Sequence, residues 1–226
     1  MSTTSTDVEL LQQAVAVLSP FTSDLLVVGG RIWSLLVPGR EVKDYRHLVQ
    51  IGTWADPNAI SAKLSLSGFE ERQGRSVSRI WEREDLAIEV FRTDGLLPGL
   101  SNPHHTPVGN SQLFDLSNGT TLRVLTPVGF VASKLYDIGN WGLGNPKQSV
   151  EMYDLLQFMW LRHEFPRDLA SATDLTRDFI TMSFGNLLAV PSVVRLASEM
   201  FDLTVGDSEM ILKSRLAWTT RDPSAI

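Results

Sequence analysis

The hydrophobic pattern of the chain changes near residue 126. Before that point short apolar runs typical of β-strands alternate with helical segments, and after it the apolar residues recur at helical spacing. The predicted strands are residues 25–28, 44–51, 76–83, 86–91, 112–116 and 121–125. The predicted helices are residues 8–18, 31–37, 58–67, 128–138, 150–163, 169–184 and 190–200. This order predicts an α/β (α+β) domain over residues 1–126 and a helical C-terminal region packed on it over residues 127–226.

Local capping and turn signals support several of these boundaries. Asp56 followed by Pro57 supplies an N-cap and a proline at the first helical position, and Gly68 is well placed to end the same helix. Asn118-Gly119, between two strand-like runs, is a strong signal for a two-residue hairpin.

The composition fits a globular protein and excludes several kinds of chemistry. The chain has 226 residues, of which 43% are hydrophobic and 20% charged, and this is ordinary for a globular domain. It contains no cysteine, so disulfides, thiolate metal sites and cysteine nucleophiles are excluded. The formal net charge of −6 disfavours a broad nucleic-acid-binding surface, and we expect no DNA partner.

The N-terminal residues and the hydropathy of the chain bear on its location. The first residues, MSTTSTDVELLQQ, have neither the basic start nor the apolar stretch of a signal peptide. No run approaches the roughly 18 apolar residues that a membrane span needs. The sequence therefore predicts a cytoplasmic protein with no membrane partner.

A glycine pair follows the first predicted strand. Gly29 and Gly30 would let the backbone come close to a phosphate, and a helix after them would present free N–H groups. A plain tight turn accounts for a Gly-Gly pair equally simply.

Acidic residues stand on two predicted strands. Carboxylates two positions apart on a strand share one face and can hold divalent metals. Asp44, however, has Arg46 rather than an acid two positions later, so this pair also fits a salt bridge. Glu89, flanked by Ile88 and Val90, either faces solvent at a sheet edge or projects into a site.

One lysine of the helical region is a further candidate. Lys134 could act as a point charge for phosphates, with Glu151 and Asp154 following on the next predicted helix. Taken singly, each of these charges also fits a solvated helix face.

In order along the chain, these segments resemble the nucleotidyltransferase-like proteins of the abortive-infection toxin family. Val27-Val28-Gly29-Gly30 resembles the family's glycine motif. Arg40 and Asp44 match its arginine-x-threonine-x-aspartate-x-aspartate element, with Val42 in place of the threonine and Arg46 in place of the second aspartate.

Two further segments carry the resemblance. Ile88-Glu89-Val90 is similar to the strand that supplies the family's third carboxylate, with Glu89 at the acidic position. The segment from Gly119 to Asp154, which contains RVLTPVGFVASKL and SVEMYDLLQFM, is similar to the part of the family whose lysine contacts the nucleotide.

The resemblance implies a nucleotidyltransferase-like mixed sheet flanked by helices, together with the cofactors Mg²⁺ and a nucleoside triphosphate. Asp44 and Glu89 would bind metal, and Lys134 would neutralise the triphosphate. The residues assigned to nucleotide binding are Gly29, Gly30, Arg40, Arg46, Lys134 and Asp154. Asp154 would complete the site or orient the lysine.

The implied activity is transfer of a nucleotide to an RNA, protein or small-molecule acceptor, as in a toxin with a cognate antitoxin as partner. The alternative is a catalytically degenerate nucleotide- or partner-binding protein, because Arg46 puts a fixed positive charge where the family has a metal ligand. A third possibility is that the similarity reports only the fold.

Overall fold

The computed structural model describes residues 4–37, 48–73, 79–92, 110–116, 119–141 and 146–217. These residues divide into two compact units, the first ending at Thr126 and the second beginning at Pro127.

The first unit is built on a seven-stranded sheet with the strand order β3-β4-β5-β2-β1-β7-β6. The strands are β1 (Leu25–Val28), β2 (Leu48–Thr53), β3 (Glu70–Gln73), β4 (Arg79–Arg83), β5 (Leu86–Arg92), β6 (Ser111–Asp115) and β7 (Thr121–Leu125). The sheet is mixed, because β1 runs antiparallel to β2 and parallel to β7, whereas β2 runs parallel to β5. The predicted mixed α/β class is therefore confirmed.

Among the described residues, three α-helices belong to the first unit and the other α-helices belong to the second. The first three are α1 (Thr4–Val17), α2 (Trp33–Leu36) and α3 (Pro57–Leu66). The others are α4 (Pro127–Trp141), α5 (Val150–Leu161), α6 (Phe165–Ala170), α7 (Asp174–Leu188), α8 (Pro191–Phe201) and α9 (Val205–Ser214).

Burial of apolar side chains explains why β1 and β2 lie at the centre of the sheet. All four residues of β1 are buried, as its continuous apolar run predicts for a central strand. In β2, Val49 and Ile51 are fully buried, while Leu48 before them and Gln50 between them are half-buried. The Asp56 side chain accepts a hydrogen bond from the N–H of Asn58 at the start of α3, so the predicted cap is present.

One predicted helix is divided in the structure and one strand was not predicted, and polar contacts explain both differences. The helix predicted over 169–184 is two helices, since Thr173 starts α7 by accepting a hydrogen bond from the N–H of Thr176. The polar strand β3 has no apolar alternation and was not predicted. It pairs with β4, and Arg72 on β3 forms an ion pair with Glu82 on β4 at 2.8 Å.

Three phenylalanines form the centre of the second unit. The ring of Phe158 lies 4.8 Å from that of Phe130 and 6.2 Å from that of Phe165, measured between centroids. All three side chains are buried. They join α4, α5 and α6 at one point.

Among helices in the described ranges, none alone combines the length and apolar character needed to cross a bilayer. Helices α7 and α8 reach that measure only as a pair, and they are bent by 85° at their junction.

The phenylalanine cluster can be tested by truncation. We expect Phe158→Ala to lower the free energy of unfolding by about 3–5 kcal/mol, because it removes a fully buried ring and leaves a cavity. Denaturant unfolding followed by circular dichroism would measure this loss. Met182→Ala is the control, since Met182 is 63% exposed and its truncation should change stability by at most about 0.5 kcal/mol. Equal effects of the two substitutions would contradict the assigned core.

Candidate functional site

The first strand ends in a backbone conformation that requires glycine. Gly29 follows β1 with φ 74° and ψ −164°, a region that residues with side chains essentially avoid. A Cβ atom added to Gly29 would lie 1.9 Å from Gln50 Oε1. The side chain of Gln50 therefore packs directly against the backbone of Gly29.

Gln50 connects this glycine turn to the acidic strand. The parallel register of β2 and β5 pairs Gln50 with Glu89, and the antiparallel register of β1 and β2 pairs Val28 with Gln50. Gln50 Nε2 donates a hydrogen bond to Glu89 Oε2 at 2.8 Å, and both side chains are half-buried. We name Gly29, Gln50 and Glu89 the glycine–glutamine–glutamate cluster.

Sequence analysis named Gly29 and Glu89 as site residues but not Gln50. The available signal was a single amide side chain in the otherwise apolar run of β2. That signal is weak, because an exposed polar residue on a half-buried strand is ordinary. Only the pairing of β2 with β5 gives Gln50 a place beside Glu89.

The segment after the glycine pair is helical, as predicted for residues 31–37, but it consists of two short pieces. Gly30 begins a single 3₁₀ turn that ends at Ile32, and α2 follows with four residues. The N–H of Trp33 donates to the carbonyl of Gly30, which is the i→i+3 bonding of a 3₁₀ turn. Arg31 in this turn is only 3% exposed.

The second unit contains the predicted lysine and aspartate. Lys134 on α4 and Asp154 on α5 form an ion pair with Nζ and Oδ2 2.9 Å apart. The two side chains are 13% and 21% exposed, so this pair is screened less than a surface pair. Lys134 Nζ also lies 5.7 Å from the centroid of the Phe130 ring. The ion pair thus places Asp154 in direct contact with Lys134.

A further carboxylate near Lys134 has a shifted pKa. Burial raises the pKa of Asp137 from 3.8 to about 6, Lys134 lowers it, and Glu151 raises it. Asp137 was not predicted as a site residue. Its position three residues after Lys134 on α4 was the available signal, because such residues share a helix face.

Three predicted site residues, Arg40, Asp44 and Arg46, lie outside the described residues. Of the others, Gly29, Gly30 and Glu89 belong to the first unit and Lys134 and Asp154 to the second. Within the first unit the fold brings Gly29 and Glu89 to the same side chain. Within the second it brings Lys134 and Asp154 into contact.

Of the two residues expected to hold magnesium, Glu89 lies in the described part of the chain and Asp44 lies outside it. In the part of the chain that the structure describes, no group of three or more histidine, aspartate or glutamate side chains could hold a metal ion. Leu48, Gln50 and Gly52 share the face of β2 that carries the partner of Glu89, and none of them is an acid. Glu89 therefore receives no second carboxylate from the described part of β2.

Two cavities in the first unit lie away from this cluster. One, of about 290 Å³, lies between α1 and the β4–β5 turn, and the other, of about 240 Å³, lies between α3 and the sheet. Neither is lined by Gly29, Gln50 or Glu89.

Comparison with known proteins leaves the chemistry open. No family model matches the chain, and no curated protein matches it. A solved structure described as a tRNA-processing enzyme in apo form aligns with 95% of this chain at 12% identity and a TM-score of 0.33. The chain spans 59% of that structure's length. A likeness at this level carries no functional argument.

The conformation of Gly29 predicts a large effect of a single methyl group. We expect Gly29→Ala to lower the free energy of unfolding by about 2–4 kcal/mol, because the alanine is strained at this φ and displaces Gln50 from Glu89. Thermal and denaturant unfolding would measure it. Gly139→Ala on α4 is the matched control, since its added Cβ would meet nothing within 4 Å and should be neutral or stabilising by about 1 kcal/mol. Similar effects at both glycines would refute the strained-turn assignment.

The raised pKa of Asp137 predicts a pH-dependent stability. Because its folded-state pKa lies above the unfolded value, the folded state holds the proton between about pH 4 and pH 6. Ionisation above that range then costs stability, up to about 3 kcal/mol in full. Asp137→Asn cannot ionise, so wild type should lose about 1 kcal/mol relative to it between pH 5 and pH 7.5. Unfolding at the two pH values measures this difference, and a difference that does not change with pH would contradict the assignment.

Proposed function

We propose that this protein is nucleotidyltransferase-like and binds a nucleoside triphosphate through its glycine turn and the strand that carries Glu89. The observation that supports the proposal is the glycine–glutamine–glutamate cluster. Gly29 and Glu89 lie 60 positions apart in the sequence, and both contact the Gln50 side chain. The resemblance names both residues as parts of one nucleotide site, and the fold is consistent with that grouping.

Backbone geometry supports a phosphate at the glycine turn. A glycine allows the backbone to approach a ligand closely, and phosphates commonly bind at turns of this kind. The resemblance assigns Lys134 to the triphosphate and Asp154 to the orientation of the lysine, and within the second unit these two side chains form a largely buried ion pair.

Two versions of this function differ in the chemistry that follows binding. In the active version a hydroxyl oxygen of an RNA, protein or small-molecule acceptor attacks the α-phosphorus and pyrophosphate leaves. In the degenerate version the nucleotide is bound without transfer. The Gln50–Glu89 pair favours the degenerate version, because the side chain paired with Glu89 is a neutral amide and not a second acid, and it engages one oxygen of the carboxylate that the resemblance assigns to metal. The assignment of Asp44 to metal and of Arg40 and Arg46 to the nucleotide remains a proposal from the sequence, as do a cognate antitoxin and a cytoplasmic location.

Calorimetric titration with each of the four nucleoside triphosphates, with and without Mg²⁺, tests the binding proposal. We expect saturable binding that weakens about tenfold in Lys134→Ala, because a lysine–phosphate contact is worth about 1–2 kcal/mol. Lys147→Ala is the matched control, since Lys147 forms an exposed ion pair with Glu199 and lies outside the proposed site. Its affinity should equal that of wild type.

The outcomes separate the two versions. Binding that requires Mg²⁺, with release of pyrophosphate when RNA or protein acceptors are added, would support the active version. Binding that is independent of Mg²⁺, with no pyrophosphate released, would support the degenerate version. Failure of all four nucleotides to bind would overturn the proposed function.

A further inference from the structure

The partner of Glu89 is an amide where a metal site would need a second acid. The register of β2 against β5 pairs Leu48 with Ala87, Gln50 with Glu89 and Gly52 with Phe91. Paired residues of neighbouring strands project to the same face of a sheet. The side chain nearest to Glu89 on β2 is therefore Gln50, and the next position on that face, Gly52, has no side chain.

The orientation of the Gln50 amide excludes it from metal binding. Its Nε2 donates to Glu89 Oε2 at 2.8 Å, because an amide oxygen in that place would face another acceptor. Oε1, the amide's only atom able to ligate a cation, points to Gly29, where it occupies the space of a Cβ. Both ends of the amide are thus committed within the cluster.

Magnesium and manganese are held by oxygen ligands, and carboxylates supply most of the charge that binds them. A neutral amide N–H instead places a partial positive charge on the carboxylate at hydrogen-bond distance. It satisfies the same half-buried oxygen without a cation. The cluster therefore offers a cation the single carboxylate of Glu89, and one oxygen of that carboxylate already accepts a hydrogen bond from Gln50.

We propose that the glycine–glutamine–glutamate cluster takes part in nucleotide binding without holding a divalent cation. Gln50 is the residue that determines the lack of a cation site. The claim deepens the proposed function, since it rests on that function for the identity of the bound nucleotide. The statement about metal concerns only Gln50 and Glu89 and can be tested with no nucleotide present.

Manganese titration followed by electron paramagnetic resonance measures free Mn²⁺ directly and supplies the test. The proteins are wild type, Glu89→Gln, Gln50→Glu and the double variant Gln50→Glu/Glu89→Gln. Glu82→Gln is the matched control, because Glu82 lies on β4 on the same sheet face as Glu89 and pairs with Ala87. Circular dichroism of each variant establishes that it is folded.

We expect wild type, Glu89→Gln and Glu82→Gln to bind Mn²⁺ identically. Gln50→Glu should gain a site at least tenfold tighter than any in wild type, because it creates two carboxylates on one face. The double variant should lose that gain.

Two results would overturn the proposal. Tenfold weaker Mn²⁺ binding in Glu89→Gln than in wild type would show that Glu89 already ligates a cation. No gained site in a folded Gln50→Glu would show that Gln50 does not determine the property. The Glu89→Gln substitution introduces no new charge. Its comparison with wild type therefore decides whether Glu89 ligates a cation, even where Gln50→Glu fails to fold. A nucleotide that does not bind leaves these Mn²⁺ results unchanged, so failure of the proposed function is a separate outcome.

Discussion

The register of β2 between β1 and β5 is the constraint on which the candidate site of the first unit depends. Val49 and Ile51 are fully buried on one face of β2, so a slip by one residue would expose both and bury Gln50 in their place. Apolar burial thus fixes the register, and the register places Gln50 opposite Glu89 and beside Gly29. A polar cluster is positioned here by the hydrophobic residues on the other face of the strand.

The two units carry charge in different ways. In the first, one carboxylate is satisfied by a neutral amide. In the second, Lys134 and Asp154 form a largely buried ion pair, and Asp137 one turn away has its pKa raised by burial. Removal of one partner of such a pair leaves an uncompensated charge, so each of these two side chains depends on the other. Each unit therefore satisfies its partly buried charges in a different way.

Some parts of the nucleotide site that the resemblance implies are present in the described residues, and others are not. A glycine turn, an acidic strand and an oriented lysine are the parts that the resemblance to nucleotidyltransferase-like proteins implies. The described part of β2 has no acid on the face of Glu89, and the pairing of its strands depends on apolar burial and not on metal ligands. This is the physical basis for treating nucleotide binding and nucleotide transfer as separate questions.

The sequence by itself determined the local elements and the class of the fold. Strand alternation, the Asp56-Pro57 cap and the Asn118-Gly119 signal act through neighbouring residues, and they placed β1, α3, β6 and β7 close to their observed bounds. Polar elements were missed where pairing or capping outweighed periodicity, as in β3 and at Thr173. Tertiary structure alone decided the role of Gln50, which contacts a carboxylate 39 positions away, and the environment that raises the pKa of Asp137. These features depend on strand register and on burial between helices, and both arise only when segments distant in the chain pack together.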